Sequence, residues 1–392
     1  MELEREREQE REQELEQERE QEREREQEQW RRMTQVRIYG RVTNWGSHAQ
    51  VTEGFRLGLG AHGMLAGVYP VDLSVDEEEV PGGDAEVGIV TGPLGTLSVL
   101  SPAHRRRMAV VAPNSSLIPP ALAVALDAFV DTVLAPSAWA EEVLRRQLKK
   151  AAVLTVPHGI HPDMQVDPAA RDEALHSYRH GGLRLVHFST TDRGRKGTIE
   201  LLRAWHWILD RLPEGARLFL VLDPNAKIRL ADDLQEHDLS LEQVEIQDRL
   251  SFGQEMGRIG SPPKVMAGLL SRFHAVVAPS RGEGFGLIPL EARACGVPVI
   301  ATCSATGHRE HLRDANVRDG VVRIPVGPEA PIDDVPGAMA PALDPKAVGL
   351  AILQAVDVYA DLHAAALERA AEVQSRWSWR KVLRPLIKEV AT

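Results

Sequence analysis

The chain has 392 residues, a formal net charge of −11 and 43% hydrophobic residues, which is enough apolar material for two domains of ordinary size. Only two cysteines occur, Cys295 and Cys303, so a disulfide framework is excluded and a reducing compartment is favoured. No apolar run approaches 18 residues and no signal-peptide pattern is present. A cytoplasmic protein is therefore expected, with peripheral contact at the inner membrane face left open.

Residues 1–32 differ in composition from the rest of the chain. Glutamate occupies every even position from Glu2 to Glu28, so this segment holds 14 glutamates against eight arginines. On a helix the i,i+4 neighbours would be glutamate pairs that repel, and only Leu3 and Leu15 are aliphatic. We interpret the segment as a charged low-complexity tail, helical or disordered, in preference to a coiled coil that binds a partner.

From residue 33 onward, short apolar runs alternate with helical patterns. This alternation predicts an α/β fold with two Rossmann-like, doubly wound domains. The expected boundaries are 33–160 for the first domain, 161–182 for a polar linker, 183–375 for the second domain and 376–392 for a C-terminal helix. Doubly wound sheets bind ligands at the carboxyl ends of their strands, so two such domains facing each other predict one site in the cleft between them.

The individual elements follow from the same patterns. Strands are predicted at Val36–Arg41, Leu65–Val71, Val87–Val90, Met108–Ala112, Thr132–Ala135, Val153–Val156, Leu183–Phe188, Leu218–Leu222, Leu250–Phe252, Ala275–Ala278, Val297–Ala301 and Val321–Ile324. Helices are predicted at Ala49–Ala61, Leu94–Arg106, Ala121–Phe129 and Ala138–Leu148, with one long helix from Lys346 to Ser375.

Polar residues follow two strands of the first domain. The loop after the first strand contains Gly46, with Ser47 next to it at a plausible helix N-cap and His48 just inside the helix. His48 is either a base on the acceptor side or an ordinary helix residue. Asn114 and Ser115 follow the fourth predicted strand, where they could hydrogen-bond a polar ligand.

A basic turn follows the first strand of the second domain. Between Phe188 and Gly197 the chain carries Arg193, Arg195 and Lys196 directly before a helix. Cations at a strand end and a helix N-terminus favour an anionic ligand. A solvated basic turn is the alternative.

A glycine-bracketed acidic loop is the most informative segment of the chain. It runs from Gly282 to Gly286, enters from an apolar strand and leads into a short helical pattern that carries Glu291. Glycines permit close approach of a ligand, and the helix N-terminus attracts an anion. Glu291 lies roughly 7 Å beyond Gly286 along the helix axis. A diphosphate over the N-terminus would therefore have its sugar near Glu283 and its ribose near Glu291.

This loop resembles the donor-site signature of the retaining glycosyltransferases of family 4, which have the GT-B fold and two glutamates separated by seven residues. Further resemblances lie in Arg249–Gly253, Lys264–Phe273, Thr306–Glu310 and Trp377–Val382. Residues 130–390 match the family in pattern and residues 33–130 only loosely. The resemblance implies GT-B architecture, with the C-terminal helix crossing back to pack on the first domain.

The resemblance also implies roles for individual residues. Lys196, Arg193, Arg195 and Gly46 would hold the donor diphosphate. The donor sugar would contact Glu283, Gly284, Phe285, Gly286 and Asn114, and the nucleoside would contact Glu291, Leu287 and Phe252. The catalytic candidates are Glu283 and His48. No metal ion and no cofactor beside the nucleotide sugar is expected.

Two departures from the family concern the first domain. Family members usually carry two glycines in the loop that here has only Gly46, and many carry a histidine where Asn114 stands. The family histidine therefore has no counterpart at that position. Basic clusters at 105–107 and 145–150 would suit an anionic membrane or a nucleic-acid acceptor, but a solvated helix face is the simpler interpretation.

The sequence thus predicts a hexosyltransferase that moves a sugar, with retention, from a nucleotide-diphosphate sugar to an acceptor hydroxyl. UDP is favoured only because it is common in the family. The acceptor is left open among saccharides, lipid-linked molecules, small molecules, proteins and modified nucleic acids, and the oligomeric state is also left open. The alternatives are a GT-B nucleotide-sugar epimerase and a non-catalytic nucleotide-sugar binding protein.

Overall fold

The computed structural model describes residues 34–42, 47–71, 86–92, 94–100, 104–189, 194–222, 230, 232, 234–236, 239–248, 262–303, 306–332 and 335–391. Within these residues the chain forms two parallel six-stranded sheets, with helices between most of the consecutive strands. The predicted α/β fold of two doubly wound units is confirmed.

The first sheet has the strand order β2-β1-β3-β4-β5-β6, and all its pairs are parallel. Its strands are β1 Val36–Gly40, β2 Leu65–Pro70, β3 Val87–Val90, β4 Arg106–Val110, β5 Thr132–Ala135 and β6 Ala152–Thr155. The accompanying helices are α1 Ser47–Ala61, α2 Pro120–Phe129, α3 Ala138–Arg145 and the 3₁₀ helix Leu94–Val99.

The second sheet has the strand order β12-β11-β10-β7-β8-β9 and is also parallel throughout. Its strands are β7 Gly182–Ser189, β8 Gly215–Leu222, β9 Val244–Asp248, β10 Ala275–Ala278, β11 Val299–Ala301 and β12 Val321–Arg323. Its helices are α5 Thr198–Ile208, α6 Pro263–Ser271, α7 Leu287–Ala294, α8 Arg309–Leu312, α9 Pro345–Asp357 and α10 Tyr359–Arg376. Helix α4, Pro168–Arg179, precedes β7, and an antiparallel hairpin of β13 Glu329–Pro331 and β14 Met339–Pro341 follows β12.

Apolar runs become strands in this unit because both faces of the second sheet are covered. Val276 and Ala278 of β10 pack into one core cluster, whereas Ala275 and Val277 pack into another. Successive side chains of a strand point to opposite faces, so helices must lie on both sides of the sheet. This explains why the strand carries a continuous apolar run with no polar alternation.

The predicted long helix from Lys346 to Ser375 is wrong, because the segment forms two helices, α9 and α10, with a bend of 85° between them. Val358 ends one helix and caps the next with non-helical backbone angles. The bend lets the chain pass around the sheet: Ile352 of α9 packs into the core on one face, and Val373 of α10 packs into the core on the other.

One further predicted helix is much shorter in the structure. The helix predicted at Leu94–Arg106 is only the short 3₁₀ helix Leu94–Val99, and Arg106 already begins β4. The strand predicted at Leu250–Phe252 lies outside the described residues, and the strand pairing with β8 is Val244–Asp248, earlier in the chain. The segment 161–182, interpreted as a polar linker, contains helix α4, because Asp167 caps its N-terminus by accepting from the Ala170 N–H group.

The C-terminal residues cross back to the first unit, as predicted. Helix α11, Trp379–Val382, lies against α1, and helix α12, Arg384–Ala391, follows it. The Trp379 ring fills the space beside Gly54, where an added Cβ would lie 1.9 Å from a ring atom. Burying an aromatic side chain of this size contributes about 1.5–3 kcal/mol, so the crossing is a stable part of the fold.

The chain passes between the two units at two neighbouring places. Ile160, on the outgoing segment, donates its backbone N–H group to the Trp377 carbonyl oxygen at 2.8 Å, and it forms a parallel bridge with Ser378 on the returning segment. A side chain at Gly159 would collide with Trp377 and Trp379. The two crossings are therefore packed directly against each other.

Candidate functional site

The strand orders place one crevice in each sheet, and the two crevices face each other. In the first sheet the order reverses between β1 and β3, and in the second it reverses between β7 and β10. Ligands bind at such reversals, beyond the carboxyl ends of the strands. A cavity of about 300 Å³ lies there, lined by Thr91 after β3, His48 of α1, Ser189 at the end of β7 and Ser280 after β10. Both units thus contribute to the predicted interdomain site.

The acidic loop, residues 282–286, forms the floor of this cavity and touches the first unit. A Cβ atom on Gly282 would lie 1.8 Å from the Asn114 carbonyl oxygen, and a Cβ atom on Gly284 would lie 2.6 Å from the Ala112 Cβ atom. The Ser137 hydroxyl donates to the Gly284 carbonyl oxygen at 2.8 Å. These two glycines are required because any side chain would push the two units apart.

Glu283 is held by two cations inside the cavity. Lys196 forms an ion pair with one carboxylate oxygen, and Arg195 Nη1 lies 3.5 Å from the other. The Ser280 hydroxyl adds a hydrogen bond of 3.2 Å. Burial by itself would raise the pKa of Glu283, but the charges of Lys196 and Arg195 outweigh burial and hold the pKa at about 2. The carboxylate is therefore ionised at any physiological pH.

This arrangement predicts a specific acid sensitivity. A lowered pKa stabilises the folded protein fully above the ordinary carboxyl pKa of 4.5, and that stabilisation is lost as the pH falls from 4.5 towards 2. We expect the melting temperature of the Glu283→Gln variant to fall less over this pH interval than that of the wild type, because the variant lacks the titrating carboxyl at position 283. Parallel pH–melting curves of the two proteins would contradict the assignment.

Two helix N-termini without a side-chain cap lie beside the same cavity. Helix α5 begins after Gly197 and helix α7 after Gly286, and both glycines have positive φ angles, of +68° and +87°. Neither helix has a capping hydrogen bond from a side chain. Their first N–H groups and helix dipoles, together with Lys196 and Arg195, form a site suited to a diphosphate or similar anion.

His308 is a cavity residue that the sequence interpretation missed. Its ring is fully buried, and Nδ1 lies 3.1 Å from the Thr302 carbonyl oxygen. Within the described residues, Nε2 has no hydrogen-bond partner although it lines the cavity. Thr306, just before it, has a φ of +55°, which is rare for a β-branched residue and indicates local strain. The available signal was the histidine inside the Thr306–Glu310 motif, directly after a buried strand.

The first unit supplies His48 and Asn114 to the opposite wall. His48 is exposed to the cleft, and its pKa is lowered by desolvation from the surrounding protein and by the charge of Arg41. Asn114 is half-buried beside the acidic loop. His158 also lines the wall and packs on Phe285 with ring centroids 5.3 Å apart. Burial lowers the pKa of His158 to about 3, so its ring is neutral.

Of the other predicted site residues, one lines the cavity, one lies next to it on α7 and three lie outside the described part of the chain. Leu287 lines the cavity beside Phe285 and Gly286. Glu291 is buried one turn further along α7 and is not among the residues that line the cavity. Burial, together with the charge of Glu291, raises the pKa of the Cys295 thiol. Three predicted residues, Gly46, Arg193 and Phe252, lie outside the described part of the chain.

The described residues hold neither a candidate metal centre nor a single candidate membrane-spanning helix. There, no group of three or more His, Cys, Asp or Glu side chains is arranged to hold a metal ion. No single helix in the same ranges is both long and apolar enough to cross a membrane, and only the bent pair of α9 and α10 reaches that length and composition together.

Sequence comparisons concern mainly the second unit. The profile described as "Glycosyl transferases group 1" matches residues 182–357. A D-inositol 3-phosphate glycosyltransferase from Corynebacterium jeikeium is 30% identical over 155 residues, which is 38% of this chain and 35% of that protein. A protein of the same name from Geodermatophilus obscurus is 36% identical over 135 residues, which is 32% of this chain and 28% of that protein. The chain thus matches about a third of the length of these relatives.

Structural comparisons extend over both units. HepE from Anabaena, in complex with UDP and glucose, has a TM-score of 0.61 at 12% identity, with 91% of this chain and 99% of that chain covered. A sucrose-phosphate synthase from Thermosynechococcus elongatus has a TM-score of 0.65 at 16% identity, with 91% and 97% covered. At these identities the likeness shows a shared fold, which is the predicted two-domain GT-B architecture.

Proposed function

Because residues 182–357 belong to the glycosyl transferases group 1 family, we propose that the protein is a glycosyltransferase that moves a sugar from a nucleotide-diphosphate sugar to an acceptor hydroxyl. The observation that carries this proposal is the cluster of Lys196, Arg195 and Glu283 between two uncapped helix N-termini. The presence of UDP in the structurally similar HepE supports a UDP-sugar donor.

The charges in the cavity suit the departure of a diphosphate. When the bond between the anomeric carbon and the diphosphate oxygen breaks, negative charge accumulates on the leaving group. Lys196, Arg195 and the first N–H groups of α5 and α7 are fixed before the reaction, so they stabilise that charge without reorganisation. Arg193 would add a further cation from the same turn.

The sugar would lie above the acidic loop. Glu283 is ionised and held in place, so its oxygens can accept hydrogen bonds from sugar hydroxyls. The buried Nε2 atom of His308 supplies one more polar contact beside Gly286. In our proposal the new bond to the acceptor oxygen forms on the face that the diphosphate leaves, so the anomeric configuration is retained. The acceptor proton passes to the departing diphosphate.

Glu291 is proposed to read the ribose hydroxyls from the side of α7. We expect Glu291→Gln to weaken UDP binding by about tenfold, because an ionised acceptor is replaced by a neutral amide, while pyrophosphate binding stays unchanged. Isothermal titration calorimetry with the two ligands measures this difference. Equal losses for UDP and pyrophosphate would place Glu291 in a structural role.

The acceptor is proposed to bind at the wall that the first unit contributes to the cleft. His48 faces the cleft with a lowered pKa, so its neutral ring is available to orient the acceptor hydroxyl. We propose a cytoplasmic, metal-independent reaction, with fixed cations of the chain taking the place of a divalent ion. The curated relatives are named for a phosphorylated inositol acceptor, which makes a small polyol phosphate the first acceptor to assay.

The decisive experiment is a thermal-shift screen of nucleotide sugars followed by product analysis with the stabilising donor. A glycosyltransferase is expected to release nucleotide and free sugar slowly without acceptor, since water replaces the acceptor hydroxyl. Isomerised nucleotide sugar would instead identify an epimerase. Binding of a nucleotide sugar with neither product, whichever acceptor is added, would identify a binding protein. If no nucleotide sugar stabilised the protein, the assignment of the site would be overturned.

A further inference from the structure

A second cavity, of about 400 Å³, lies behind the acidic loop and is rich in arginine. Its lining combines the start of α3 with α8, α10 and Trp377. Five arginines contribute to it, namely Arg293, Arg309, Arg313, Arg369 and Arg376. We call it the arginine cavity. The Phe285 and His311 rings, whose centroids are 5.1 Å apart, form part of the wall between it and the cavity described above.

Most of the acidic groups of the arginine cavity already have partners. Asp319 and Glu372 both pair with Arg369, at 3.6 and 3.0 Å. Glu310 accepts from the Ala138 N–H group at 2.9 Å. The remaining carboxylate, Asp314, is exposed. The lining thus carries four carboxylates against five arginines, a net charge of +1, and two of the four carboxylates share the single guanidinium of Arg369.

Three arginines of the cavity lack an acidic partner among the described residues. Arg309, Arg313 and Arg376 form no ion pair within those ranges, and Arg376 lies over the Trp377 ring at 5.7 Å. Arg293 donates from Nη1 to the His311 carbonyl oxygen at 2.8 Å, but its buried Nε atom has no partner in the same ranges. Guanidinium groups with unused donors are suited to a phosphate group.

His311 supplies an independent indication of a ligand. Its side chain is 8% exposed and lines the arginine cavity. Nε2 lies 3.1 Å from the carbonyl oxygens of Phe285 and Gly286, so Nε2 carries the proton and donates to them. Nδ1 is then an acceptor, and it is buried without a partner among the described residues. Burying such an acceptor unsatisfied is costly, so a donor group is expected there.

We propose that the arginine cavity binds a phosphate monoester carrying a hydroxyl group, separately from the nucleotide-sugar site. The arginines hold the phosphate oxygens, and a hydroxyl group of the ligand donates to His311 Nδ1. The proposal does not depend on glycosyl transfer, because it rests on residues outside the cavity that holds Glu283.

The test is calorimetry on the full chain with glycerol 3-phosphate as the probe. Saturating UDP is present to block the other cavity, so the measured heat reports the arginine cavity. We expect saturable binding that the double variant Arg309→Gln, Arg313→Gln weakens by at least about tenfold, since each lost guanidinium removes charge-assisted hydrogen bonds. The matched control is Arg318→Gln, an exposed arginine outside the cavity lining, which should bind like the wild type.

Two further arms identify the ligand type. Inorganic phosphate tests whether the hydroxyl matters, and it should bind more weakly than glycerol 3-phosphate. Co-flotation with phosphatidylcholine vesicles, with and without phosphatidate, tests whether the monoester comes from a lipid. Arginine-dependent binding in the soluble or the vesicle arm supports the proposal. Absence of binding in both arms, or equal binding by the double variant with an unchanged melting temperature, overturns it.

Discussion

Replacing Lys196 by alanine is expected to lower kcat/KM by about 10²–10³-fold, the usual effect of removing one fixed group that stabilises leaving-group charge. Lys196 is bonded to Glu283 in the cavity, so its loss also leaves that buried carboxylate with the Ser280 hydrogen bond and the longer contact to Arg195. Both effects weaken the diphosphate site. Steady-state kinetics with the donor found in the screen, together with UDP calorimetry, measure the change.

The matched control for this variant is Lys346→Ala. Lys346 is an exposed lysine in the first turn of α9, and only its backbone N–H group bonds to the capping Asp344. The control should keep wild-type kinetics and UDP affinity. Unchanged UDP affinity in Lys196→Ala would show that the diphosphate lies elsewhere, and the assignment of the donor site would then fail.

Replacing Gly282 by alanine is expected to lower kcat/KM by about 10²-fold while leaving each unit folded. An added Cβ atom would lie 1.8 Å from the Asn114 carbonyl oxygen of the facing unit, so the two units must separate by more than 1 Å to relieve the clash. A displacement of about 1 Å between reacting groups typically costs this much in rate. Kinetics, with circular dichroism as the check on folding, measure the effect.

Gly60→Ala provides the control for the glycine substitution. Gly60 lies near the end of α1, where an added Cβ atom meets nothing within 4 Å, and alanine favours the helix. This variant should be as active as the wild type and slightly more stable. Wild-type activity in Gly282→Ala would mean that the closed contact between the acidic loop and Asn114 is not needed for turnover.

The sequence predicted the fold well because both sheets are built from local apolar runs. Val87–Val90 and Ala275–Ala278 were located to the residue, since each is a short apolar segment flanked by polar ones. The acidic loop was equally easy to recognise in the sequence, because its glycines and Glu283 are contiguous in the chain. Its partner Lys196 was predicted from the resemblance of its turn to the family pattern, and the structure brings it to Glu283 because β7 and β10 are neighbours in the sheet.

The features that the sequence did not predict depend on distant contacts. The bend at Val358 exists because α9 and the C-terminal half of α10 pack on opposite faces of one sheet, which no local propensity encodes. His308 received no role from the sequence, because only the fold brings its ring into the cavity, where Nε2 has no partner among the described residues. The arginine cavity collects residues from positions 138 to 377, so no single segment could reveal it.

The paired crossings at Ile160 and Ser378 restrict how the cleft can open. The two adjacent, mutually bonded segments form a hinge between the units. Rotation of one unit about this hinge distorts few bonds, whereas sliding or twisting of the units would break the Ile160–Trp377 hydrogen bond. Glu283 and Lys196 belong to the same unit, so they travel together during such a swing. The contacts that must break include the interdomain hydrogen bonds of Ser137 with Gly284, Ala138 with Glu310 and Ser116 with Met339. Substrate entry therefore need not disturb the ion pair that prepares the diphosphate site.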